Sequence, residues 1–343
     1  MNTKISTALV LAALSLAINT TSHADTIYVD QRYGPGGNGT PSAPYDTIQA
    51  GIDHTNSVMI IVYPGTYTER LFINKSLTIV GYDGPYTTRI DASAGGDAVV
   101  LARGLAVNLQ GLTISSGNRG LVQPTEGTLH VRNCIFCGNQ SHGVYVERKE
   151  VANSPAVYID NCICVANGGS GLFVTVVYTS GYYRYVNTPN LRAYNNIFIG
   201  NQQFGVSSDY NGSADRVGEG ASLDYNDYVA NVSGNYSSLF GSGNLISAGP
   251  NSFSIAPDFV GGTACNSDFR LVPSSVCRNA GQPGLGWLNP DGTRNDIGAY
   301  GGPGAATFYT NPNDGPVIRN VTIDQGMVPR GSTFTIRAKG AVR

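Results

Sequence analysis

Charge is scarce in this sequence. Asp, Glu, Lys and Arg make up 13% of the 343 residues, about half the usual share of roughly 25%. That scarcity excludes helical bundles and coiled coils, while 41% hydrophobic and 9% aromatic residues exclude a disordered chain. The formal charge of -2, from 21 Lys and Arg against 23 Asp and Glu, offers no basic field for nucleic acid. It would not draw in an acidic polymer either, so any such ligand must find a local site. Long apolar runs are missing after residue 24, where no stretch approaches the ~20 residues of a membrane span. What the chain has in excess is glycine, 44 residues alongside 17 Pro.

The first 24 residues read as an export signal: Lys4, an apolar stretch from Ile5 to Ile18, then Ser22-His23-Ala24 before Asp25. A mature chain beginning at Asp25 and located outside the cytoplasm is expected, whether secreted, periplasmic or at the cell surface. All six cysteines follow this segment, where disulfides persist. Cys265 and Cys277, 12 residues apart in a turn-rich stretch, are expected to bridge. Cys134, Cys137, Cys162 and Cys164 are spaced C-x2-C and C-x-C, a poor match to structural zinc sites. Packed core, or a bridge between Cys134 and Cys162, fits them better.

Four segments of the middle of the chain align: Leu129 to Val144 (LHVRNCIFCGNQSHGV), Val157 to Leu172 (VYIDNCICVANGGSGL), Leu191 to Val206 (LRAYNNIFIGNQQFGV), and a shorter one from Ala221 (ASLDYNDYVAN). Each carries an alternating strand, a polar turn, a second short strand and an Asn. These are Asn139, Asn167, Asn201 and Asn231, separated by 28, 34 and 30 residues. No two-residue hairpin turn separates the strands, and each unit is too small to bury its own apolar face, so they must stack on their counterparts in the next unit. A chain advancing roughly 4.8 Å per turn is a parallel β-helix, here expected to have about nine or ten coils. The repeated Asn is expected to sit at a left-handed bend and to bond its equivalent one coil away.

Alternation assigns the faces. Val144, Val146, Leu172, Val174 and Val206 point inward, leaving Tyr145, Phe173 and Ser207 outward. In the preceding strand Leu129, Val131, Val157, Ile159 and Leu191 point inward, so His130, Tyr158 and Arg192 form an outward row. In the short strand Cys134, Phe136, Cys162, Cys164 and Phe198 are inward. That leaves Ile135, Ile163 and Ile197, with Cys137, Val165 and Ile199, as an outer apolar stripe, to be covered by a loop, the C-terminal segment or a partner.

The sequence resembles the right-handed parallel β-helix proteins of the pectin-lyase-like superfamily. Ile27 to Asp53 and Met59 to Gly84 resemble the family's opening strand, short capping helix (Thr47 to His54 here) and first coils. Asp268 to Gly281 and Asn289 to Gly304 resemble the terminal cap of secreted bacterial β-helix repeat proteins. The resemblance implies an all-β solenoid over residues 25–304, after a signal peptide at 1–24 and before a linker and incomplete sandwich-like tail at 305–343. It also implies an extracellular polysaccharide as partner. Gly65-Thr66-Tyr67-x-Glu69 occurs in pectin methylesterases and in non-esterase β-helices alike. The paired-Asp, Gly-His-Gly and Arg-x-x-Pro-x-x-Arg motifs of the family's pectin-degrading enzymes are missing.

Three groups of residues are candidates for chemistry. Eliminating a uronate needs a base, a cation on the carboxylate and an acid for the leaving oxygen, roles that His130, Tyr158 and Arg192 can fill. The plain alternative is a solvent-facing row, with Arg132 and Asp160 as a stacked ion pair. The longest coil carries an insertion between Thr175 and Arg192 that holds Tyr178, Tyr182, Tyr183 and Tyr185. With Tyr145 and Phe173, Tyr182, Tyr183 and Tyr185 would either stack on sugar rings or cover a sheet edge. Asp209, Asp215 and Glu219, in a loop rich in Asn and Gly, are candidate calcium ligands, calcium being the cofactor to consider. Asn289 to Asp296 is expected to close the last coil through turn bonds, with Tyr300 packed inward. Three functions follow: recognition of a polysaccharide, a lyase on uronic-acid polymers, or a structural, adhesin-like surface protein. The tail strands Val317 to Ile323 and Thr333 to Arg337 would dock, if at all, on the Ile135, Ile163, Ile197 stripe.

Overall fold

A strand followed by a single left-handed residue and a second strand is the local unit from which this fold is built. Gly127–Arg132 turns at Asn133 (φ 53) into Ile135–Cys137, which turns at Gly138 (φ 61) and leads to Val144–Lys149. The next three coils repeat the first corner at Asn161, Asn195 and Tyr225 and the second at Ala166, Gly200 and Ala230, all with positive φ. Asn and Gly suit these corners because they enter the left-handed region with the least steric cost. The computed structural model describes residues 25–124, 126–149, 156–177, 190–208, 221–237, 249–306, 308, 317–322 and 337–341.

Stacking these units gives a right-handed parallel β-helix with three sheets. The first sheet has eight strands and the second and third seven each, and every pairing within them is parallel. Seven three-strand coils result among the described residues, where about nine or ten are expected, and residues beyond Ser252 leave the coil path and fold back over the second sheet. Added length also lies in the connections from the third sheet to the first, such as that between Leu172–Val177 and Asn190–Tyr194.

The inward faces are as alternation assigns them: Leu129, Val131, Val144, Phe136, Cys164 and Phe198 all lie in one continuous core. The Asn ladder is present. Asn139, Asn167 and Asn201 each donate an Nδ2–H to the Oδ1 of the next ladder member, at 2.9, 2.9 and 2.8 Å, the last being Asn231. Each Nδ2 also donates to a backbone carbonyl, of Ile114, Phe136, Cys164 and Phe198 respectively, so the buried amides are satisfied. The left-handed residue is not the ladder Asn but its predecessor, Gly138, Ala166, Gly200 or Ala230. A second ladder joins Asn196 to Asn226 at 3.1 Å. Cys134 and Cys162 take the equivalent positions in the two preceding coils, as buried thiols bonded to backbone carbonyls rather than to each other.

The outer stripe of Ile135, Ile163 and Ile197 is covered by the chain's own residues 253–300. Phe269, Cys277, Ile297 and Ala299 are buried against it, with Phe253, Phe259 and Tyr300 at the margin. This covering strap also corrects the expected disulfide. Cys265 bonds Cys137 of the stripe, with Cα atoms 5.5 Å apart, because the loop between the bridged residues Phe259 and Leu271 lies directly over that strand. Cys277 reaches a different coil, where its thiol donates to Asp227 at 3.3 Å. The corner asparagines pin the strap's far side. Asn133 donates to the carbonyls of Ala299 and Gly301, Asn161 to those of Asp296 and Gly298, and the Asn195 Oδ1 accepts from the Gln282 N–H. Asn289 accepts from the N–H groups of Asp296 and Gly302, the turn bonding expected of that segment. Beyond Gly304 the chain still packs on the solenoid: Phe308 is 4% exposed and lies so close to Gly84 that a Cβ there would come within 2.4 Å of the ring. The tail strands Val317–Thr322 and Arg337–Ala341 pair with each other, antiparallel, and the stripe is already occupied.

At the amino-terminal end the helix Ile48–Asp53 buries Ile48 and Ile52 in the core. Its first N–H groups are held by Glu69, whose carboxylate accepts from Ile48 at 2.8 Å and Gln49 at 3.0 Å. Tyr67, 2% exposed, donates its hydroxyl to the Tyr63 carbonyl. In this chain the Gly-Thr-Tyr-x-Glu element therefore fastens a helix to the first coil. Among the described residues no helix is long and apolar enough to cross a membrane.

Candidate functional site

Two outward rows run along the first sheet, set by strand register. One passes through Thr78, Asn108, His130, Tyr158, Arg192 and Ser222, the other through Gln110, Arg132, Asp160, Tyr194 and Asp224. The structure brings His130, Tyr158 and Arg192 together as neighbours. The His130 and Tyr158 rings stack at 4.5 Å, and the Arg192 guanidinium lies 4.8 Å from the Tyr158 ring centre. Burial, helped by Arg132 and Arg192, holds the His130 imidazole below its ordinary pKa, which favours its neutral form.

Arg192 is committed elsewhere. Its Nε and Nη2 donate to the two carboxylate oxygens of Asp160, at 3.2 and 2.6 Å. Asp160 has a side chain only 3% exposed, and burial pushes its carboxyl above the usual range against the opposing pull of Arg192. Around the same guanidinium stand the rings of Trp287 at 5.2 Å and Tyr194 at 5.8 Å, cation–π contacts that fix its plane. Arg132 differs. Its Nε is 3.9 Å from Asp160, its one ion-pair contact among the described residues, its side chain is 49% exposed, and it lines the cleft. Two guanidiniums around one carboxylate leave this point of the sheet locally positive.

Arg132, Asp160 and Arg192 line one side of a cleft of about 250 Å³, whereas His130, Tyr158 and Tyr194 are not among its lining residues. The rest of the lining is Gly286 and Trp287 of the strap, Pro303 and Gly304 just after it, and the corner residues Asn133 and Asn161. Gln110 ties the strap down at one end by donating to the Gly304 carbonyl at 2.7 Å. That volume falls just below the roughly 300–1,000 Å³ of pockets that enclose a drug-sized molecule, so the cleft suits one unit of a longer ligand. Trp287, the only Trp in the chain, was not reached by the repeat pattern because it lies outside the coils. A lone Trp between Gly284 and Pro290 in a turn-rich stretch is the signal that marks it.

On the third sheet Tyr145 and Phe173 are also brought together, stacked at 5.5 Å. His142 stacks on Phe173 at 4.1 Å, and the Arg119 guanidinium, paired with Asp97, lies 4.3 Å from the Tyr145 ring centre. Ring faces turned toward one another and toward Arg119 are faces withdrawn from a sugar. Tyr182, Tyr183 and Tyr185, and the candidate calcium ligands Asp209, Asp215 and Glu219, lie outside the described residues. Among the described residues no group of three or more His, Cys, Asp and Glu is placed to hold a metal.

No protein-family model matches the sequence, and no curated protein does so. Among solved structures, pectate lyase Pel9A is similar at 16% identity, covering 82% of this chain and 98% of its own, with a TM-score of 0.35. The deglycosylated pectin methylesterase from Aspergillus niger is similar at 13% identity, covering 74% of this chain and 92% of its own, with a TM-score of 0.32. At these TM-scores the two likenesses add nothing to what the three parallel sheets establish.

Proposed function

We propose that this protein is exported and binds an extracellular polysaccharide along the outer face of its first sheet, one unit of the glycan occupying the cleft beneath Trp287. The observation that carries this reading is the meeting of an indole, a half-exposed arginine side chain and hydrogen-bonding side chains at the middle of a straight outward row. An indole supplies an apolar platform, and Arg132 supplies donors for a carboxylate or hydroxyls. The row repeats at about 4.8 Å, so an extended chain can meet similar groups at successive coils. Recognition is favoured over elimination because Arg192, the cation an elimination by this row would need, already serves Asp160.

Incubating the protein with a panel of acidic and neutral polysaccharides, with and without calcium, tests this. Retention on at least one glycan, weakened by Arg132→Ala, with no absorbance from unsaturated ends, is the expected outcome. Unsaturated ends would establish a lyase, with Arg132 then the first residue to examine as carboxylate partner. No retention on any glycan would leave a structural surface role.

A further inference from the structure

Trp287 sits on a turn that holds itself weakly. The 3₁₀ turn Leu285–Trp287 buries none of its residues, is flanked by Gly284 at φ 120, and exposes Leu285 by 92%. Its one internal bond is the Trp287 N–H to the Gly284 carbonyl at 2.9 Å. Gly286 has open space where a side chain would be. Segments with few buried contacts open at low free-energy cost. What fixes the indole is therefore its contact with the first sheet: the Arg192 guanidinium at 5.2 Å and the Tyr194 ring at 6.2 Å.

Arg192 is in turn held by a buried carboxylate. A long flexible side chain would sample many rotamers on an exposed strand face, but the bidentate bond to Asp160 leaves it one. We propose that Asp160 is a positioning residue which, through Arg192, latches the Leu285–Trp287 turn as a flap over the cleft. Asp160 lines the cleft with a side chain only 3% exposed, so its part is to hold Arg192. The flap closes the indole against the sheet, and a pyranose ring entering the cleft takes its place against the indole beside Arg132. This inference rests on the glycan reading only for what the flap admits.

The single Trp makes the latch measurable without any ligand. Acrylamide quenching of Trp287 fluorescence reads its accessibility in the native protein. Once its anchor is lost the guanidinium no longer holds its cation–π contact with the indole, so the closed-to-open ratio of the flap should shift about two- to fivefold. Asp160→Asn is expected at least to double the quenching constant, about the change that such a shift gives a mostly closed flap. Arg192→Lys keeps the charge but not the planar fork, and is expected to give an intermediate value. That variant carries the test if Asp160→Asn does not fold. Arg32→Ala, which removes an exposed ion-paired arginine that does not line the cleft, should quench like the wild type. Protection of Trp287 in both latch variants equal to that in the wild type would overturn the proposal, as would equal exposure in Arg32→Ala. Exposure confined to the latch variants in a protein that binds no glycan would support the flap and sink the glycan reading.

Discussion

Asp227 stands where the two coils before it carry Ile197 and Ile163, and it is fully buried. Burial pushes its carboxyl up to about 6, against the bonds it accepts from Ile255 and Cys277. A raised carboxyl destabilises the fold once ionised. Below about pH 4 both folded and unfolded forms hold the proton. From there to about pH 6 the unfolded chain releases it first, so stability falls, and above that the penalty is constant, on the order of 2 to 3 kcal/mol. Asp227→Asn is expected to be the more stable form at pH 7, with the difference from wild type vanishing near pH 4. Urea melts at the two pH values check this, and an equal difference at both would refute it. The corners offer a second residue-scale test. Ala166 and Ala230 occupy left-handed positions that Gly138 and Gly200 fill in neighbouring coils. A left-handed non-glycine residue costs about 1–2 kcal/mol, part of which glycine's chain entropy takes back. Ala166→Gly should therefore raise stability by roughly 0.5–1 kcal/mol in the same melts.

At the scale of the element, the strap decides both a disulfide and a site wall. Non-reducing peptide mapping is expected to join the Cys137 and Cys265 peptides and to leave the Cys277 peptide free. Cys265→Ser opens a loop 128 residues long, and should destabilise the protein by about 2–4 kcal/mol. A Cys265–Cys277 peptide would contradict the strap's path. The coils were legible because their signals are local: alternation, a corner residue and an Asn recur within each unit, so Val131, Phe136 and Asn167 could be placed from their neighbours in sequence. The strap was not, because it obeys no period. Its seat was visible as the apolar row of Ile135, Ile163 and Ile197, but which later segment fills that row depends on contacts more than 100 residues apart. Nearness in sequence therefore pairs Cys265 with Cys277, whereas the strap pairs it with Cys137. The site divides in the same way. The row His130, Tyr158, Arg192 follows from register, whereas Trp287 meets Arg192 only through the strap, and the commitment of Arg192 to Asp160 is a matter of side-chain direction that alternation does not give.

At the scale of the whole molecule, the scarcity of charge has a structural counterpart. Outer faces are filled by polar uncharged rows, by aromatic ladders such as Tyr145 on Phe173, or by the strap. Where charges do gather on the first sheet, around Asp160, one guanidinium is neutralised within the protein and one faces the cleft. The glycan proposed above would then meet one point of local charge and a neutral row. Binding should accordingly weaken only modestly with salt, since a single exposed ion pair is screened over about 8–10 Å. The most direct test of the glycan-binding cleft is a titration of the protein with oligosaccharides read by Trp287 fluorescence, in wild type and in Arg132→Ala. A saturable change in the wild type, with affinity about tenfold lower in the variant because a charged hydrogen bond is lost, is the predicted result. A Trp287 signal that no oligosaccharide perturbs, or a binding curve that Arg132→Ala leaves unchanged, would contradict it.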